Sequence, residues 1–214
     1  RTAKGYYDQN GNNAVIIIKS NVDFTLTDCK GTGTITHQEG VSGEGVYNDG
    51  RFFMYNGIIS GNNGGVKNPG MFFMYGGRIT SNHADNGGGV YNNAGRFTMS
   101  GGKINNNTSN KGGGVYYIST VPFKMSGTAE IIDNKGGGVF VGQYHKITLS
   151  GAVKIIGNTV EDRTNNLYLR TEAIVTVESL EEGANIGVTT EDKPTEKSSV
   201  IIADNAASAS YFSS

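Results

Sequence analysis

The sequence predicts an all-β protein: a single-stranded, right-handed parallel β-helix of about seven coils, with three short strands in each coil. Three observations predict it. One phrase recurs along the chain at roughly the length of a coil. Its landmarks fall into columns with the apolar alternation of strands. Glycine, 33 residues of 214, gathers between the columns, where the chain must turn. The phrase reads Gly-Gly-Val-Tyr, a short gap, Phe-x-Met, then Gly-x-Ile-x-x-Asn, and occurs around residues 45–62, 65–82, 89–107, 114–134 and 138–158.

The first column holds Val46, Val66, Val90, Val115 and Val139. The second holds Phe52-x-Met54, Phe72-x-Met74, Phe97-x-Met99, Phe123-x-Met125 and Ile147-x-Leu149, with steps of 20, 25, 26 and 24 residues between them. The third holds Ile59-x-x-Asn62, Ile79-x-x-Asn82, Ile104-x-x-Asn107, Ile131-x-x-Asn134 and Ile155-x-x-Asn158. Stacked in register, each column places like over like inside a tube, and one repeat alone closes no core. Degenerate coils flank these five. Val15, Ile16 and Ile17, Phe24-x-Leu26 and Gly33-x-Ile35 form a first coil; Leu167, Tyr168 and Leu169, Val175-x-Val177 and Ile186-x-Val188 form a last one. At the strand spacing the tube is roughly 34 Å long. Residues 1–13 are expected to be an N-terminal arm or cap, 14–190 the β-helix, and 191–214 a C-terminal cap or linker, capping being needed to cover terminal strand edges.

The recurring asparagines Asn62, Asn82, Asn107, Asn134 and Asn158 sit at one phase. They are read as residues that tolerate a left-handed turn and form a structural ladder of amide bonds along the tube. The Gly-Gly-Gly runs at 87–89, 112–114 and 136–138 recur and carry no lysine or helix, so they are turns rather than phosphate loops.

Acid and base nearly balance, 19 against 18, and no basic block exists, so neither nucleic acid nor an anionic membrane surface is an expected partner. No segment is long and apolar enough for membrane insertion as a helix. Cys29 is alone, which excludes an intrachain disulfide, and is expected to be a small buried or half-buried residue. The chain begins at Arg1 and reads like a fragment of something longer.

The repeats are similar to those of the pectate-lyase-like parallel β-helix superfamily. Gly-Gly-Gly-Val with Ile-x-x-Asn resembles the Gly-Gly-Ala-Ile and Phe-x-x-Asn repeats of chlamydial polymorphic membrane proteins, with Ile here in place of Phe and Val in place of Ala-Ile. Residues 88–107 resemble the repeats of adhesin-like surface proteins of gut bacteria, and Asn166-Leu-Tyr-Leu with residues 183–190 resembles the end of such arrays. The resemblance covers about residues 45–190 and implies an extracellular or cell-wall-attached module. Its partner would be a glycan or a host protein; its oligomeric state is left open.

Enzymes of this superfamily stack acids or bases on one strand face. Asp85, Asp133 and Asp162 lie near the turn after the third column at different offsets, and Glu161, Asp162 and Arg163, like Thr189, Glu191 and Asp192, read as wet loop clusters. No catalytic residue, metal ligand or cofactor site is therefore assigned, although a polysaccharide lyase or glycoside hydrolase with loop-borne acids is the alternative reading, and a purely structural stalk a third. Thr25, Thr27, Thr32, Thr34 and Thr36 are confined to one coil, too few for an ice-binding ladder.

The candidate ligand-binding residues are Phe53, Tyr55, Phe73 and Tyr75. Two successive coils read Phe-Phe-Met-Tyr, and alternation turns these four aromatics outward where later coils carry Thr98, Ser100, Lys124, Ser126, Thr148 and Ser150. Such a patch marks a binding surface unless the arm with Tyr6 and Tyr7, or residues 36–44, folds over it. A second outward column, Tyr47, Tyr91, Tyr116, Phe140 and Tyr168 interrupted by Lys67, reads as structural stacking.

Overall fold

The computed structural model describes residues 2–3, 6–7, 13–192 and 210–213. Its strands stack in parallel into a β-solenoid of about seven turns, with three sheets running along the tube.

The valine sheet is built from Asn13–Ile18, Glu44–Asn48, Val66–Lys67, Val90–Asn92, Val115–Tyr117, Val139–Val141 and Leu167–Leu169. Its register sets Val46, Val66, Val90, Val115 and Val139 in one line. The methionine sheet runs from Asp23–Leu26 through Arg51–Met54, Met71–Met74, Arg96–Met99, Phe123–Met125 and Lys146–Gly151 to Ile174–Leu180. Here Phe52 faces Phe72 and Met54 faces Met74, and the last pair of strands carries an irregularity between Leu149 and Ser150. The isoleucine sheet is built from Thr34–His37, Ile58–Ser60, Arg78–Thr80, Lys103–Asn105, Glu130–Ile132 and Lys154–Ile156. The last coil closes with one longer strand, Asn185–Thr190, that pairs first with the isoleucine sheet and then with the valine sheet.

Like-over-like stacking fills the lumen. Val46, Phe52, Met54 and Ile59 are fully buried, as are their counterparts Val90, Phe97, Met99 and Ile104. The buried rings stack at the strand spacing, with Phe52, Phe72, Phe97 and Phe123 at centroid separations of 4.8, 5.0 and 4.7 Å. Each such side chain contributes roughly 1.5–3 kcal/mol relative to exposure, so a coil holding four of them gains only by having neighbours on both sides.

Glycine has a specific duty just before each valine. A Cβ on Gly89 would meet the carbonyl oxygen of Gly114 at 2.5 Å and the Ile104 side chain at 2.6 Å. The coil therefore approaches its neighbour at a point where only hydrogen fits.

The two ends are partly covered by short strands. Thr2–Ala3 pairs with Thr34–His37, and Tyr6–Tyr7 runs antiparallel to Asn13–Ile18. At the other end Phe212–Ser213 pairs with Asn185–Thr190. Most of the expected C-terminal cap, residues 193–209, lies outside the described residues.

The structure corrects two expectations. Cys29 is exposed. It follows Leu26 by three residues, in the turn where the chain leaves the methionine sheet, and so has no lumen to enter. The ladder asparagines are not themselves left-handed. The positive φ falls one residue earlier, at Gly61, Ser81, Asn106, Asp133 and Gly157, with values between 54° and 69°. That preceding residue makes the bend, and the bend turns the following asparagine into the wall of the tube.

Candidate functional site

Alternation along Arg51–Met54 and Met71–Met74 buries Phe52, Met54, Phe72 and Met74 and turns the residues between them outward. In-register pairing of these strands then sets Phe53 over Phe73 with centroids 5.2 Å apart and planes at 10°. Tyr55 lies over Tyr75 at 4.8 Å and 20°. The phenylalanines are half-buried; Tyr55 and Tyr75 keep 52% and 43% of their surface exposed.

The arm strands pair with the valine and isoleucine sheets, not with the methionine sheet. Residues 36–44 lead from the isoleucine sheet to the valine sheet. Among the described residues neither segment therefore lies over the two tyrosines.

The stack restricts what the rings offer. Facing rings cover each other's inner faces. The outer faces look toward coils that carry Thr25 beside Phe53 and Thr98 beside Phe73. A flat ligand meets an aromatic face only at these two steps, from ring down to threonine. Elsewhere it meets ring edges and, at the tyrosines, hydroxyls.

Beside the patch runs a polar groove of about 470 Å³, floored by Gly57, Gly77 and Gly102 and walled by Arg78, Lys103 and Glu130. Glu130 takes Lys103 at 2.7 Å and Lys154 at 3.3 Å. The hydrogen bond from Lys103, more than that from Lys154, holds the Glu130 carboxyl below its usual range.

The second outward column is a ladder on the valine sheet. Tyr91, Tyr116, Phe140 and Tyr168 stack at 5.5, 4.7 and 5.6 Å, and at its start Lys67 lies over the Tyr47 ring at 5.6 Å. Burial pushes the phenols of Tyr116 and Tyr168 up from their ordinary value. Two clefts open beside this ladder, between it and the loops that follow the isoleucine sheet. One, of about 390 Å³, lies at Lys67 and Tyr91; the other, of about 330 Å³, lies at Phe140 and Tyr168. Sequence reading gives the ladder but misses the clefts, because their outer walls come from loops of unequal length.

The asparagines at the third column are buried and bonded to one another. Asn62 donates to Asn82, Asn82 to Asn107 and Asn107 to Asn134, each at 3.0 Å, and Asn134 donates to Asn158 at 2.9 Å. Each also donates to a backbone carbonyl of a neighbouring coil, as Asn107 does to Ile79. The line runs further than the repeat indicates. His37 meets Asn62 through its backbone N–H and its Nδ1 at one end, and Asn158 donates to Asn166 at the other.

A second internal ladder, also missed, joins Asn48 to Asn68 at 2.6 Å and Asn68 to Asn92. Its signal was present as Val-x-Asn in three successive coils. It stops where Tyr117 takes the next position, a fully buried phenol that burial pushes up to about 12. Both ladders are made of buried amides bonded to one another within the protein.

Asp85, Asp133, Glu161 and Asp162 are exposed, the last three at positive φ. Among the described residues no three His, Cys, Asp or Glu side chains gather as a metal centre. Thr189, Glu191 and Asp192 adjoin the second cleft. Glu191 accepts from the Thr171 backbone N–H and from Arg170 Nε, and these two contacts, in that order, hold its carboxyl at about 2.

Compared with family models, curated proteins and solved structures, the chain has no match.

Proposed function

We propose that the chain is a non-catalytic, adhesin-like binding module of a larger extracellular or cell-wall-attached bacterial protein, and that it presents Phe53, Tyr55, Phe73 and Tyr75 to a glycan or a host protein. The observation that carries this reading is the open Tyr55–Tyr75 stack, held by two coils of buried Phe-x-Met packing. Four aromatics in register are not required for the tube, since the next coil builds the same sheet with Thr98 and Ser100 at the equivalent places. Exposed aromatic clusters are typical of contact surfaces, and the resemblance of the repeats to those of bacterial surface proteins supports the extracellular setting.

The test is a glycan array together with capture of host surface proteins, using the whole chain and a Tyr55→Ala/Tyr75→Ala variant. At least one glycan or host-protein signal of the wild type is expected to vanish in the variant while its melting curve stays within a few degrees. A second variant, Phe53→Ala/Phe73→Ala, is expected to lose the same signal. Survival of every wild-type signal in both variants contradicts the assignment of the site. A silent array and an empty capture favour the stalk.

A further inference from the structure

We infer that the groove along the aromatic ladder is a second binding site, independent of the Phe53–Tyr75 patch, and that it takes an uncharged polysaccharide chain laid parallel to the tube axis.

The shape comes first. The two clefts lie on one side of one ladder, near its opposite ends. From Tyr47 to Tyr168 the ladder climbs five strand steps, roughly 24 Å. Its far wall is the series of turns at Asn86–Gly87, Lys111–Gly112 and Gly136–Gly137, so both walls repeat once per coil. A ligand that matches such a groove is itself a repeating chain.

Charge comes second. Of the charged side chains lining the two clefts, three are basic (Lys67, Lys111, Arg170) and three acidic (Glu44, Asp85, Glu191). Four of the six are already paired, Lys67 with Glu44 and Arg170 with Glu191. Lys111 and Asp85 remain, of opposite sign. A polyanion would meet no net attraction here, and a polycation none either.

Hydrogen bonding comes third. The hydroxyls of Tyr91 and Tyr168 on one wall, and the side-chain amides of Asn86, Asn110 and Asn165 on the other, make no hydrogen bond within the described protein. The buried asparagines of the two ladders, by contrast, donate wherever they sit. An array of unused hydroxyls and amides, set against ring edges and the apolar Val160, matches a chain dense in hydroxyls with apolar C–H faces. An apolar helix would leave these polar groups unpaired.

The test is calorimetric titration of the whole chain with neutral gluco-, manno- and xylo-configured oligosaccharides, dimer to octamer, at low and at molar salt. Affinity for at least one series is expected to rise with length and level off at about five or six units, with little change in salt. A Tyr91→Phe/Tyr168→Phe/Asn110→Ala variant keeps the ring stacking and is expected to bind about tenfold more weakly. Tyr55→Ala/Tyr75→Ala removes the patch and changes no residue lining the two clefts, so the length-dependent component of neutral-sugar binding is expected to remain in it. No binding by any neutral series at millimolar concentration overturns the inference, as does binding confined to acidic sugars and lost in salt. Binding lost in the Tyr55/Tyr75 variant and kept in the groove variant overturns it too, while leaving the patch as the glycan site.

Discussion

Asn107 shows how much one side chain can hold. Its amide donates to Ile79 and Asn134, while its oxygen accepts from the backbone N–H and side chain of Asn82. It is fully buried. Asn107→Ala orphans several of these groups at about 1–3 kcal/mol each, so a loss of about 3 kcal/mol or more is expected in urea denaturation. A loss below about 1 kcal/mol would mean that water enters the site and replaces the amide. The residue before each ladder asparagine behaves differently. Ser81 stands at φ 55°, where Gly61 and Gly157 serve other coils. A left-handed L-residue costs about 1–2 kcal/mol, and glycine returns part of that through its freer unfolded chain. Ser81→Gly is therefore expected to stabilise by about 0.5–1 kcal/mol, measured the same way. The repeat made the ladder legible as Ile-x-x-Asn. It could not place the bend, because glycine, serine, asparagine and aspartate all occupy the bending position and no single residue type marks it.

At the scale of elements, the three sheets were legible because valine, methionine and isoleucine recur with strand alternation, and pairing in the structure follows that alternation. The outward aromatics were legible for the same reason. The clefts were not, since the steps of 20 to 26 residues vary in the loops that wall them. The Asn48–Asn68–Asn92 ladder escaped because it lasts only three coils before Tyr117, Val141 and Leu169 succeed it. The last coil carries a pH dependence of its own. The Glu191 carboxyl is held at about 2 against an ordinary 4.5 by Thr171 and Arg170. Its folded-state pKa is depressed, so the stability it contributes is complete above about pH 4.5 and lost as the pH falls toward 2. The melting temperature of the wild type is expected to decline over that range, and Glu191→Gln to show a shallower decline. Identical slopes for the two proteins would show that the contact with Thr171 and Arg170 does not form in solution.

The whole molecule is a stack in which each coil speaks to the coil above and the coil below. Stiffness follows, because two amide ladders, a phenylalanine stack and three parallel sheets all run along the same axis. A tube of this kind carries outward side chains at fixed spacing, which is what a binding face on it requires. Its register also makes a demand that can be tested by surgery. Removing residues 90–114 takes out one coil and brings Val66 against Val115, Phe72 against Phe123, Met74 against Met125 and Asn82 against Asn134. Thermal unfolding of that shortened chain, followed by far-ultraviolet circular dichroism, is the most direct measurement of like-over-like stacking. A cooperative transition from an all-β spectrum, at a somewhat lower temperature than the full chain, is the expected result. A chain that is unfolded or loses its β spectrum at room temperature would contradict the stack, showing that the coils are held by partners particular to each rather than by a common register.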